Sequence, residues 1–141
     1  MRHPSRFPLA AFLALLPFGL GAQIVLGNGR PETELRSLPP FRSLAFACPG
    51  ELRVRRGSTQ EVRLTVDSNV LPLIRTEVSG GRLEISFKPR SGAIKSKKLL
   101  VEVTMPELEA IELAGSGSAF VERFSGPSLA VVLSGSGKLE A

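Results

Sequence analysis

Four stretches of the chain alternate apolar and polar side chains residue by residue. Leu52 and Val54 are interleaved with Glu51, Arg53 and Arg55, and Val62, Leu64 and Val66 with Glu61, Arg63 and Thr65. Leu83, Ile85 and Phe87 alternate with Arg82, Glu84 and Ser86, and Leu99, Val101, Val103 and Met105 with Leu100, Glu102 and Thr104. A period of two collects the apolar side chains on one face of an extended strand, whereas a helix repeats its faces every 3.6 residues. No window carries a long 3.6-residue period, so the spacing predicts an all-β domain. Arg56-Gly57-Ser58, Ser79-Gly80-Gly81, Lys88-Pro89-Arg90-Ser91-Gly92 and Met105-Pro106 punctuate the runs as turns do. Gly80-Gly81 between two alternating runs reads as a two-residue hairpin loop. One short helical turn is expected over residues 68–74, capped by Asp67-Ser68-Asn69 and kept short by Pro72.

The last third repeats itself. Ile111-Glu112-Leu113-Ala114-Gly115-Ser116-Gly117-Ser118 returns 20 residues later as Val131-Val132-Leu133-Ser134-Gly135-Ser136-Gly137-Lys138. Both copies place apolar residues two apart and then a Gly-Ser-Gly corner. A period near 20 is one coil of a β-solenoid, in which each short strand covers its apolar face only by stacking on its equivalent in the next coil. The competing reading is two Gly/Ser loops in an ordinary sandwich. Solenoids use three or more coils and an end cap. The reading therefore expects a C-terminally incomplete domain, or an open edge that invites self-association.

The N-terminus has the order of a secretory signal peptide. Arg2 and Arg6 precede an uncharged stretch at residues 7–20, and Gly19-Leu20-Gly21-Ala22 offers small residues for cleavage. The stretch is 14 residues long with Pro8 and Pro17 inside it, whereas a bilayer span needs about 20 apolar residues. Residues 1–22 are thus expected to be a leader, and residues 23–141 a single domain in the periplasm, cell envelope or extracellular space. Without Arg2 and Arg6 the 18 basic residues become 16 against 13 acidic ones, a balance of +3. That excess favours solubility and does not argue for nucleic acid. The single cysteine, Cys48, lies in the apolar run Leu44-Ala45-Phe46-Ala47-Cys48, too far from the leader for a lipid anchor. It is expected to be a buried apolar side chain.

In order along the chain, Gly27-Asn28-Gly29, residues 32–38, the Phe41 to Leu44 segment, Asp67-Ser68-Asn69-Val70-Leu71-Pro72-Leu73-Ile74, Val103-Thr104-Met105-Pro106-Glu107-Leu108 and the paired Gly-Ser-Gly corners form a recognisable series. Their order and spacing over residues 27–141 resemble the putative auto-transporter adhesin head GIN domain family. The resemblance implies a right-handed parallel β-helix with additional N-terminal strands, an envelope or extracellular setting, and no assigned activity. The family's coils usually continue past a second Gly-Ser-Gly.

The absent chemistry narrows the function. The one histidine is His3 in the expected leader, which removes histidine-based triads, histidine acid–base steps and histidine-ligated zinc from the mature domain. One cysteine excludes a cysteine-rich metal site, and Asp67, the only aspartate, does not make a calcium loop. The Gly-Ser-Gly corners do not continue as nucleotide-binding fingerprints. No catalytic residue, metal site or cofactor is therefore expected. Glu102, Glu107, Glu109, Glu112 and Glu122 cluster in the second half. A carbohydrate-active enzyme using paired glutamates is the enzymatic alternative, but their alternation with apolar neighbours assigns Glu102, Glu109 and Glu112 to solvent.

Residues 88–98 carry Lys88, Arg90, Lys95, Lys97 and Lys98 without an acid. They read either as a solvated hairpin loop with basic edge protection or as an anion-binding patch for glycans, envelope phosphates or an anionic membrane surface. No aromatic residue interleaves them, unlike a nucleic-acid platform. The function expected from the sequence is a non-catalytic exported β-helix module for surface adhesion, envelope structure or partner binding.

Overall fold

The computed structural model describes residues 23–96, 98–122 and 129–141; the expected leader, residues 1–22, lies outside the described residues. The strands are β1 (Ile24–Leu26), β2 (Pro31–Arg36), β3 (Ser43–Phe46), β4 (Glu51–Arg56), β5 (Glu61–Asp67), β6 (Ile74–Ser79), β7 (Arg82–Phe87), β8 (Ala93–Lys95), β9 (Leu99–Met105), β10 (Ala110–Ala114), β11 (Ser118–Val121), β12 (Ala130–Ser134) and β13 (Lys138–Glu140). The four alternating stretches become β4, β5, β7 and β9. Gly80 and Gly81 have φ of 59° and 76° and turn β6 into antiparallel β7, as a primed two-residue turn requires.

Two open, mixed sheets hold most of the strands. One has the order β12-β10-β3-β7-β6 and the other β13-β11-β4-β9-β5-β2, while β1 and β8 make a separate two-stranded ribbon. Four strand pairs each bend from the first sheet into the second: β7 with β9, β3 with β4, β10 with β11, and β12 with β13. Neighbouring pairs are parallel in both sheets. The 20-residue repeat is the last two of these layers, Ile111 opposite Val131 and Leu113 opposite Leu133. The layer formed first along the chain, β3 and β4, lies between two later ones.

Register turns the alternation into columns. Leu83, Leu44, Ile111 and Val131 stand in one, and Ile85, Phe46, Leu113 and Leu133 in the next. The second sheet supplies Val101, Leu52, Ala119 and Leu139. Together with Val62, Leu64, Val66 and Ile74 the side chains of the first three layers form one core, against which Leu139 packs while Val131 and Leu133 stay exposed. A fully buried Leu, Ile or Phe in it contributes roughly 1.5–3 kcal/mol. Cys48 is buried within this core, and desolvation pushes its thiol up to about 12. On the outer face of the six-stranded sheet Arg63, Glu102 and Arg53 stand opposite one another in successive strands, an alternation of charge that suits cross-strand neighbours.

The expected helical turn is shorter than its capping residues suggest. Only Leu71–Leu73 forms a 3₁₀ turn, and the residue before it, Val70, offers no side-chain cap. Asp67, Ser68 and Asn69 instead bond to distant segments. The short polar side chains suited to capping are equally suited to tying down a neighbouring loop, and tertiary contact decides between the two.

Candidate functional site

The four stacked layers share one corner, and its length can be counted from the register. Phe46, Leu113 and Leu133 are partners, and so are Glu51, Ser118 and Lys138. Four residues therefore form each corner: 47–50, 114–117 and 134–137. Their backbones bond across layers, with Ser118 N donating to Gly50 O at 2.8 Å and Lys138 N to Gly117 O at 3.3 Å. In the layer of β7 and β9, Ile85 is the partner of Phe46 and Leu100 of Glu51, so fourteen residues, 86–99, span the same corner. This corner is ten residues longer than the others and contains the basic segment, residues 88–98.

The hairpin expected for residues 88–98 does not form. β8 pairs with neither flanking strand but runs parallel to β1, with Ile24 opposite Ala93 and Leu26 opposite Lys95. Parallel strands need no tight turn between them, and β1 reaches this edge because the chain before β2 lies across it. The expansion is fixed by named bonds. Lys88 N donates to Leu73 O at 2.8 Å and Ala93 N to Gln23 O at 3.1 Å. The Ser91 hydroxyl donates to Lys88 O at 2.7 Å, and Arg90 closes the turn in the left-handed region at φ 64°. At the far end Gly27 N donates to Lys95 O at 2.7 Å. Ser96 Oγ donates to the buried carboxylate of Asp67 at 2.8 Å. Asn69 holds β1 from the other side, Nδ2 donating to Leu26 O at 2.8 Å and Oδ1 accepting from Asn28 N at 2.9 Å.

Strand alternation sorts the ribbon into two faces. Val25 and Ile94 pack against the core. Ile24, Leu26, Ala93 and Lys95 face outward, with Ile24 59% and Leu26 64% exposed. Lys88, Arg90 and Lys98 are also exposed on the flanking turns, while Lys97 lies outside the described residues. None of the seven ion pairs among the described residues involves Lys88, Arg90, Lys95 or Lys98. The one acid bonded into the corner, Asp67, is turned inward onto Ser96. The expanded corner thus carries four exposed cations, and two exposed aliphatic side chains share the outward face of its ribbon with Lys95. The pattern reading found the cations but not Ile24 and Leu26; the only local signal for them was the short β-forming run Ile24-Val25-Leu26.

The glutamates are distributed rather than convergent. Glu112 meets Arg82 at 2.6 Å on the outer face of the five-stranded sheet, and Glu102 stands between Arg63 and Arg53 on the other sheet's outer face. Glu107 and Glu109 both face Arg42, at 3.5 and 3.4 Å, on the rim of an open cleft of about 830 Å³ lined by Leu38, Phe41, Gln60 and Pro106. All three charged side chains on that rim are more than half exposed. Glycoside hydrolysis requires two carboxyl groups facing one bond with different environments; here Glu107, Glu109 and Glu112 each pair with an arginine, and Glu102 stands opposite two.

A family model described as putative auto-transporter adhesin, head GIN domain, matches residues 40–141. Among solved structures, a putative adhesin from Bacteroides fragilis superposes with a TM-score of 0.75 at 18% identity, covering 82% of this chain and 54% of that one. A putative adhesin from Parabacteroides merdae gives 0.68 at 21% identity, covering 79% and 47%. A putative lipid binding protein from Parabacteroides distasonis gives 0.65 at 23% identity, covering 71% and 44%. The chain therefore spans about half the length of the solved structures it resembles. Comparison with curated proteins finds no match.

Proposed function

Because the chain belongs to the putative auto-transporter adhesin head GIN domain family, we propose that it is an exported, non-catalytic binding module of the bacterial cell envelope. In this reading residues 1–22 direct export and residues 23–141 form one domain. The in-register layers are coils of a right-handed parallel β-helix, with β2, β5 and β6 as its additional N-terminal strands. The fold supplies rigidity. The binding surface is the one corner that departs from the four-residue pattern, and its partner is an anionic glycan or envelope surface.

The observation that carries this reading is the ten-residue expansion. A corner that needs four residues to turn, and is given fourteen, has ten residues that the turn does not require. The expanded corner is bonded to Leu73 and Gln23 towards one end and to Gly27 and Asp67 towards the other, and presents Lys88, Arg90, Lys95 and Lys98 to solvent. Fixed cations on a preorganised surface attract polyanions with a strength that falls as salt screens them.

The test is retention of the exported protein on immobilised heparin, a sulfated glycan. Lys95→Glu combined with Lys98→Glu is expected to move elution to markedly lower salt, whereas Arg63→Glu on the outer charge ladder leaves it almost unchanged. Equal elution of all three proteins would remove the expanded corner from the binding surface.

A further inference from the structure

Resting on the reading of the expanded corner as an anion-binding surface, we infer that its anionic partner is the headgroup layer of a lipid bilayer, with Ile24 and Leu26 entering the interface between the headgroups. Charge alone does not separate a bilayer from a soluble polyanion, since both attract Lys88, Arg90, Lys95 and Lys98. The two aliphatic side chains do separate them. A sulfated glycan chain offers only the small C–H faces of its rings to cover them, while a bilayer buries apolar side chains at the headgroup boundary and attracts the flanking cations to anionic lipid.

The geometry suits that contact. In the parallel ribbon Leu26 stands directly opposite Lys95, and Ile24 opposite Ala93, so apolar and cationic groups share one face. The other face, Val25 and Ile94, is packed on the core and cannot roll outward to hide the aliphatics. Asn69 Nδ2 on Leu26 O and Gly27 N on Lys95 O hold the ribbon in place beforehand, so docking orders no loop. No aromatic side chain and no acid stands on the described part of this face. With two aliphatics and four described cations the contact is reversible and requires anionic lipid, because each basic residue near an anionic leaflet strengthens binding by about five-fold.

The experiment is sedimentation of the exported protein, its N-terminus read by mass spectrometry, with vesicles of phosphatidylglycerol and phosphatidylcholine and with vesicles of phosphatidylcholine alone. Binding is expected to the mixed vesicles, to fall with added salt and to be weak on the neutral ones. Ile24→Ser with Leu26→Ser should lower vesicle partitioning by roughly ten-fold or more while heparin retention stays the same. Both side chains are exposed, and an unchanged thermal melt verifies the fold. The chain has no tryptophan, so Leu26→Trp adds a single fluorophore whose emission should shift to the blue on the mixed vesicles and stay put with heparin. Unchanged vesicle binding by the double serine variant, or an unshifted Trp emission, would overturn the lipid inference and leave the anion-binding surface standing. If Lys95→Ser with Lys98→Ser leaves both vesicle and heparin binding intact, the underlying surface fails as well.

Discussion

The two ends of the layered stack treat their outermost strands in opposite ways. At one end the chain reverses: β5 and β6 run antiparallel to β9 and β7, and β2 adds antiparallel to β5. There β2 carries Pro31, Glu32, Glu34 and Arg36, and on β6 Arg75 is paired with Glu77 at 2.7 Å. The Arg36 guanidinium crosses to the neighbouring sheet and donates to Ile74 O at 2.6 Å and Leu71 O at 3.1 Å. At the other end β12 is Ala130-Val131-Val132-Leu133-Ser134, without a charge, and among the described residues no strand lies beyond it. Proline and charge blunt a sheet edge, and an uncharged apolar edge remains a template for pairing. The comparison teaches that register alone does not make a core: Leu113 is buried and Leu133, its partner in the same column, is half exposed, because only Leu113 has layers on both sides.

The largest test of that contrast lies within one column. Phe46 is fully enclosed, and Phe46→Ala is expected to cost about 3–5 kcal/mol in denaturant unfolding through lost burial and the cavity left behind. Leu133→Ala, two layers away in the same register, is expected to cost less than about 1 kcal/mol, near the range of surface substitutions. Comparable losses at the two positions would mean that β12 is covered in solution, by a further layer or a second copy, and the two ends would no longer differ.

Much of this architecture was legible in the chain, and the rest was hidden for identifiable reasons. Period-two alternation located β4, β5, β7 and β9, and the Gly-Ser-Gly echo located the β10/β11 and β12/β13 layers. The equivalent corner at residues 47–50 went unseen because it reads Ala-Cys-Pro-Gly and stands 67 positions before its partner in the next layer, Leu44 opposite Ile111. Only the geometric demand for a four-residue corner is shared, and several sequences meet it. The cations at 88, 90, 95 and 98 were visible as a cluster, but the parallel pairing of β8 with β1 depends on contacts about 70 residues apart, for which local pattern has no signal. Asp67 and Asn69 looked like capping residues because their chemistry at a helix end and at a loop tie is the same.

A second test strips the protection from the closed end. Arg36 is partly buried and bonds to two backbone carbonyls, the Thr76 hydroxyl and the Glu34 carboxylate. Arg36→Ala is expected to cost roughly 1.5–3 kcal/mol, the range for hydrogen bonds to a charged group, and to speed amide exchange in β6 before other strands. Arg75→Ala, which removes only an exposed ion pair on the same strand, should change stability by less than about 1 kcal/mol. Equal effects from the two variants would show that the guanidinium does not cap the edge.

The finest distinction uses the two glycines that end the paired Gly-Ser-Gly corners. Neither Gly117 nor Gly137 has a left-handed φ, so alanine is conformationally acceptable at both and the cost is steric. A Cβ at Gly117 would collide with Cys48 O and lie 2.8 Å from the Phe46 ring, and one at Gly137 would collide with Gly117 O. Gly117 sits between the corner of residues 47–50 and that of 134–137 and cannot retreat, so Gly117→Ala should cost about 1–3 kcal/mol, as overpacking does. Gly137 has its obstruction on one side only, and its corner can lift away from the stack. Gly137→Ala should therefore cost less than half as much, a difference within reach of paired denaturant titrations. A larger loss at Gly137 than at Gly117 would mean that the 134–137 corner is itself pressed down from above, so that the apolar edge of β12 is an interior position of a taller stack.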